Sequence, residues 1–301
     1  MNLFFKKVIV ASILSALLCP ASLFAGNKGG KRTVIAGVGF ATPESVEYYA
    51  AGDVYLVSNI NGDPLKADNN GFISKLSPEG KLLDLKWIDG ANKRVTLHAP
   101  KGVAIKANKL YVTDLNQVQI FQLPSGKQTQ SVTIKGSSFL NGITPGEGDF
   151  VYVTDSGLKA GKEGYDPSGT DAIYKVWANG KYKLVFKDNT MGRPNGILAV
   201  DKKLIVVSFG SGEVFSINAS GKKTAMPKPA KGGLDGLLML DDGRFLISSW
   251  GESAIYILNT DNSYSILADK LDAPADLGFD TKRNRVLVPL FKQNKLVFLS
   301  L

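Results

Sequence analysis

Apolar positions in this chain come in short runs closed by turn residues. They read Val54-Tyr55-Leu56-Val57, Leu110-Tyr111-Val112-Thr113, Val151-Tyr152-Val153-Thr154, Leu204-Ile205-Val206-Val207, Phe245-Leu246-Ile247-Ser248 and Val286-Leu287-Val288. Rich in β-branched and aromatic residues and too short for helices, they predict strands. Ahead of each lies a second recurrent pattern, a two-residue turn signal followed by apolar alternation. Its copies are Pro43-Glu44-Ser45-Val46, Pro100-Lys101-Gly102-Val103, Leu140-Asn141-Gly142-Ile143, Pro194-Asn195-Gly196-Ile197, Leu234-Asp235-Gly236-Leu237 and Pro274-Ala275-Asp276-Leu277. They are spaced by 57, 40, 54, 40 and 40 residues. A base period near 40 is the spacing of four-stranded propeller blades.

Third runs lead into turns at Ser77-Pro78-Glu79-Gly80, Pro124-Ser125-Gly126, Ala178-Asn179-Gly180 and Asn218-Ala219-Ser220-Gly221. Glycine at such turns marks a hairpin to a fourth strand. The sixth copy reaches only its third strand, at residues 296–299, before the chain ends. The strand-like residues 33–36 precede the first copy and can fill the missing outer place. The pattern thus predicts an all-β fold: one six-bladed β-propeller over residues 33–301, its N-terminal strand closing the last blade and leaving no long open edge. The two long spacings come from insertions at residues 59–70 and 156–170. Both are expected to overhang the face where the inner strands begin, and their Gly, Asn and Lys content suits mobile, solvated loops.

The first 25 residues carry a different signal. Lys6 and Lys7 precede an apolar run at residues 8–18, and Ala25 offers a small residue for cleavage. That run is too short to span a membrane and matches a secretory signal peptide. Cleavage there would remove the only cysteine, Cys19, leaving a chain suited to an oxidising compartment, periplasmic or extracellular. Residues 26–32 read as a flexible leader. With 36 Lys+Arg against 27 Asp+Glu the chain is basic. Its one dense basic run, residues 28–32, falls in that leader, and no basic patch interleaved with aromatics calls for nucleic acid. One histidine, His98, excludes a two-histidine metal motif or a histidine dyad.

In a propeller the residues that open the inner strands ring the mouth of the central channel. Here they are Glu44, Lys101, Asn141, Asn195, Asp235 and Ala275. Asn-Gly and Asp-Gly also suit a simple turn. Yet four of six are oxygen donors, and Glu44 is no turn former. Two carboxylates and two amides on one axis match a hard, oxygen-seeking divalent cation, Ca²⁺ foremost, with Zn²⁺ or Mn²⁺ as alternatives. Lys101 places a cation in the same ring, able to hold an anionic substrate group or to repel a metal. His98 reads as a structural or exposed residue near the channel mouth. Asp114 and Asp155 are expected to bond neighbouring backbone N–H groups.

These residues carry a resemblance. Glu44 in the first blade, Asn141-Gly142, Pro194-Asn195-Gly196 and Asp235-Gly236 stand in the order seen in the gluconolactonase family that includes senescence marker protein 30 and regucalcin. The resemblance spans the mature chain and implies a six-bladed propeller with a divalent metal in its channel. It implies that Glu44, Asn195 and Asp235 ligate the metal, that Asn141 lies beside it or touches substrate, and that Asp235 is the general base. Two features depart from the family. Phe139 stands where an arginine usually holds the sugar lactone, and Asn141-Gly142 runs on to Ile143-Thr144-Pro145 instead of further acidic residues. The expected function is an exported metal-dependent hydrolase of a lactone or related ester. The alternative is a non-catalytic propeller that binds a protein or small ligand.

Overall fold

The computed structural model describes residues 31–162 and 164–301; the export segment expected over residues 1–25 lies outside them. The chain is a six-bladed β-propeller of antiparallel, four-stranded sheets. Blade one comprises Pro43–Tyr49, Val54–Asn59, Phe72–Leu76 and Leu82–Asp89; blade two comprises Pro100–Lys106, Lys109–Asp114, Gln117–Gln122 and Lys127–Thr133. Blade three is built from Leu140–Pro145, Phe150–Asp155, Ala172–Trp177 and Tyr182–Lys187. Blades four and five start at Pro194–Val200 and Leu234–Met239 and end at Lys223–Ala225 and Tyr264–Ala268. Blade six contains Gly278–Asp280, Arg285–Leu290 and Lys295–Ser300, and its fourth strand is Arg32–Ile35 from the other end of the chain. Arg32 pairs with Leu299 and Ile35 with Leu296, so the closing strand begins one residue earlier than the sequence pattern suggested. No helix among the described residues is long and apolar enough to cross a membrane.

The second strands are apolar on both faces because each blade stacks against two neighbours. Tyr55, Leu56 and Val57 are all fully buried, whereas the outermost Lys127–Thr133 alternates towards solvent. Each interface between neighbouring blades holds its own hydrophobic cluster. Tyr111, Val118 and Ile120 of blade two, for example, meet Val151, Val153 and Tyr174 of blade three. Each such fully buried side chain contributes roughly 1.5–3 kcal/mol. Where the ends of the chain meet, polar contacts add a latch. The Tyr55 hydroxyl donates to the fully buried Asp280 carboxylate at 2.5 Å, and Arg283 joins Asp280 to Asp53 of blade one. Arg283 and Lys282 hold the Asp53 carboxyl well below the ordinary range.

The Asn-Gly and Asp-Gly pairs are not turns. They lie inside the inner strands, and in blades one to five the ladder skips at that point: Pro43 pairs with Asn59 and Val46 with Val57, and likewise across Pro100/Val103, Leu140/Ile143, Pro194/Ile197 and Leu234/Leu237. A β-bulge of this kind re-aims a side chain. The glycines have ordinary backbone angles, and close approach between blades is what requires them. A Cβ on Gly142 would meet the Asn195 carbonyl oxygen at 2.2 Å, and one on Gly196 would meet the Asp235 carbonyl oxygen at 2.4 Å. Hydroxyls clasp the same seams. Thr113 donates to the carbonyl of Asn141, Thr154 to that of Asn195, and Ser248 to that of Ala275.

Candidate functional site

The bulges turn Glu44, Lys101, Asn141, Asn195 and Asp235 onto one cavity of about 530 Å³ at the mouth of the channel. All five are buried. Ala275, the sixth ring member, is fully buried and does not line it. The ends of the second strands of blades two and three help to hold this arrangement. Asp114 accepts from the N–H groups of His98 and Ala99, and Asp155 accepts from Ser138, Phe139 and Gly157, as expected from the sequence.

Three buried oxygens on residues that line this cavity have no hydrogen-bond partner among the described residues: Glu44 Oε2, Asn141 Oδ1 and Asp235 Oδ1. Buried oxygens are rarely left so, because stranding one costs about 1–3 kcal/mol and more for a charged group. Asn141 is set for this role, because its Nδ2 donates to Ser156 Oγ, which donates on to the Pro194 carbonyl. The oxygen is thereby left pointing inward. No group of three His, Cys, Asp or Glu side chains suited to a metal occurs among the described residues, so the donor set depends on amide as well as carboxylate oxygens. An all-oxygen set with two carboxylates fits a hard divalent cation.

The electrostatics agree with that chemistry. Burial pushes the Glu44 carboxyl well above the ordinary range, with Asp235 and Asp276 adding to the shift and Lys101 opposing it. The Asp235 carboxyl is also pushed well up, by burial first and then by Asp276, while Trp250 and Asn195 favour its ionised form. Trp250 nevertheless stands without an acceptor within hydrogen-bond geometry of its Nε1. Beneath the ring, Asp276 occupies the place that four blades give to glycine. It accepts from Ser45 Oγ and the Leu277 N–H, yet burial still raises it to about 6. Glu47, one turn of the pleat further along the blade-one strand, is pushed up to about 8 by burial and by Asp276. Ionising these two carboxyls therefore costs the fold stability as pH rises through that window.

Lys101 has a more structural part than the sequence suggested. Its Nζ donates to the carbonyls of Ala99 and Pro64 and sits 4.2 Å from the centroid of the Phe139 ring. Burial lowers it to about 8 against the pull of Asp114, Glu44 and Asp63. The contact to Pro64 pins the first insertion over the cavity. Both insertions reach it, through Ile60, Gly62, Asp63 and Pro64 on one side and Leu158 and Tyr165 on the other. The second is not an irregular loop: Leu158–Gly161 and Gly164–Pro167 pair as a hairpin. His98 does not line the cavity; its Nδ1 accepts the Asn69 N–H.

Sequence reasoning missed the rest of the wall. Phe209, Trp250 and Phe291 follow the second strands of blades four, five and six and form one aromatic strip, with ring centroids 5.2 and 5.0 Å apart. Their shared position after Ser208, Ser249 and Leu290 was the available signal. Arg193, two residues before Asn195, also faces the cavity.

No protein-family profile matches the chain, and no curated protein matches it significantly. Solved structures do share its fold. A gluconolactonase from Xanthomonas campestris is 15% identical, with 87% of this chain and 86% of that one aligned at a TM-score of 0.68. A streptogramin B lyase is 14% identical over 90% and 98% of the two chains, with a TM-score of 0.63. A catalytically inactive histidine-to-alanine variant of virginiamycin B lyase from Staphylococcus aureus, solved with quinupristin, is 16% identical over 90% and 100%, with a TM-score of 0.60. At these identities the likeness is one of fold, and function has to be argued from the cavity.

Proposed function

We propose that the protein is an exported hydrolase that opens a lactone or related ester in a cavity holding one divalent cation, Ca²⁺ by preference. The observation that carries this reading is the set of three unpartnered, buried oxygens, Glu44 Oε2, Asn141 Oδ1 and Asp235 Oδ1, on residues that line one cavity. Glu44, Asn195 and Asp235 would hold the cation, with Asn141 beside it. When bound, the cation supplies Lewis acidity to a substrate carbonyl oxygen. Asp235 takes the proton of the attacking water as general base. Collapse of the tetrahedral centre breaks the acyl C–O bond, and the leaving alkoxide takes up that proton. Asn141 and Asn195 fix the polar floor, while the hairpin and the first insertion limit access of bulk water.

A lyase reading is less well supported. The lyase that shares this fold is inactive when a histidine is replaced, and this chain's single histidine stays out of the cavity. The second reading is a binding platform without catalysis, favoured by the largely apolar upper wall and by Lys101, two of whose three N–H donors are already engaged. A panel of sugar-acid, alkyl and aryl lactones and aryl esters separates the two. Turnover of at least one member is expected, falling by about a hundredfold or more in excess chelator and restored by Ca²⁺. Absence of hydrolysis across the panel by cation-loaded protein would leave the platform reading standing.

A further inference from the structure

The charges on the cavity wall do not all pair with one another. Glu44 and Asp235 together would balance one divalent cation. Lys101 has its ammonium on two carbonyls and a ring, with the charges of Asp114, Glu44 and Asp63 acting on it. Arg193 is left over. Its backbone is tied down, since its N–H donates to Asp171 Oδ2 and its carbonyl accepts from Phe209. Its stem crosses Gly210 so closely that a Cβ there would meet Arg193 Cδ at 3.0 Å. No hydrogen bond or ion pair engages its guanidinium among the described residues, and its charge acts on the buried Asp171 only as the last of several influences. A guanidinium held by its stem and open at its head is a fork for a carboxylate.

Beside Arg193 runs the strip Phe209–Trp250–Phe291, with Ile60, Pro64 and Leu158 closing other parts of the wall. Phe139 adds a further ring to the wall, beneath the Lys101 ammonium. Such a surface offers little to a ring of hydroxyls and much to an apolar body. We infer that the cavity selects a ligand with a free carboxylate on an apolar, ring-bearing body, the carboxylate on Arg193 and the body along Phe209, Trp250 and Phe291. This deepens the hydrolase reading and rests on it for the substrate's identity: an ester or lactone carrying a second, free carboxylate away from the scissile bond. Arg193 is then a specificity residue, apart from the deep donors that face the reacting carbonyl.

The test is calorimetric binding of 3-phenylpropanoate, 3-phenylpropan-1-ol and gluconate to the full protein, in Ca²⁺ and again in excess chelator. Phenylpropanoate is expected to bind about tenfold tighter than either of the others in both conditions. Arg193→Gln should erase the advantage over the neutral alcohol, while Arg193→Lys restores part of it. A carboxylate preference that appears only with Ca²⁺ and survives Arg193→Gln would assign the anion to the cation and overturn the proposal. Gluconate binding as tightly as phenylpropanoate would overturn it too. Because binding is read without turnover, a protein that hydrolyses nothing but shows the Arg193-dependent preference would defeat the hydrolase reading and leave this one intact.

Discussion

Asp235→Asn is expected to lower turnover of any lactone substrate by about a thousandfold or more while leaving the propeller folded. The substitution keeps the shape of the side chain, and the backbone of Asp235, which packs against Gly196, is unchanged. What is lost is one of the two negative charges on the cation and the group that takes the proton from water. A second consequence separates this reading from a structural role. In the cation-free protein the buried Asp235 carboxyl is held well above its unfolded value. A carboxyl shifted in that direction adds stability at low pH and removes it as pH rises. Asparagine has no such cost, so in chelator the variant should melt at or above the wild type at pH 8. Saturating Ca²⁺ should reverse the order, because a ligand at a hundred times its dissociation constant stabilises by about 2.7 kcal/mol and the variant binds it poorly. Thermal melts in the two conditions, together with kcat, check the prediction. A variant that fails to fold in chelator would make Asp235 a structural residue.

Gly142→Ala is expected to produce the largest loss of stability among single-methyl changes at the ring. The added Cβ meets the backbone of Asn195 at 2.2 and 2.9 Å and the Cα of Gly196 at 3.1 Å, and none of these atoms can swing aside as a side-chain end could. The inner strands of blades three and four must separate. Overpacking of this kind costs typically 1–3 kcal/mol and occasionally more. At about 2–4 °C per kcal/mol for a chain of this class, a fall in Tm of roughly 2–12 °C is expected. The displaced backbone carries Asn195, so cation affinity should fall with stability. An unchanged Tm would show that the blades do not approach each other as closely as described.

The blade count, the strands of each blade and the closure by the N-terminal strand were legible in the chain because the repeat is written in consecutive residues. The ring of Glu44, Lys101, Asn141, Asn195 and Asp235 was legible for the same reason, since each residue recurs at one place in its copy. The meaning of the following glycine was not. Read locally, Asn141-Gly142 is a turn, and only the packing of one blade on the next shows that the glycine yields space to a neighbouring carbonyl. Asp276 escaped notice because it takes the glycine's place in blade six, one residue beyond Ala275. Arg193 and the strip Phe209–Trp250–Phe291 were hidden for a different reason. They lie outside the recurrent motif, and which ends of the strands face the cavity is a property of the closed ring. The hairpin at Leu158–Gly161 and Gly164–Pro167 ran against a composition of glycine and lysine that suits loops, because its backbone pairing does not depend on apolar alternation.

The most direct test of the cavity's chemistry is a calorimetric titration of Ca²⁺ into chelator-stripped wild-type protein. One site per chain is expected, with binding lost in Glu44→Gln and in Asp235→Asn although both variants remain folded. Absence of Ca²⁺, Mn²⁺ and Zn²⁺ binding to folded wild type, or binding that persists undiminished in both variants, would contradict the assignment of these oxygens to a cation.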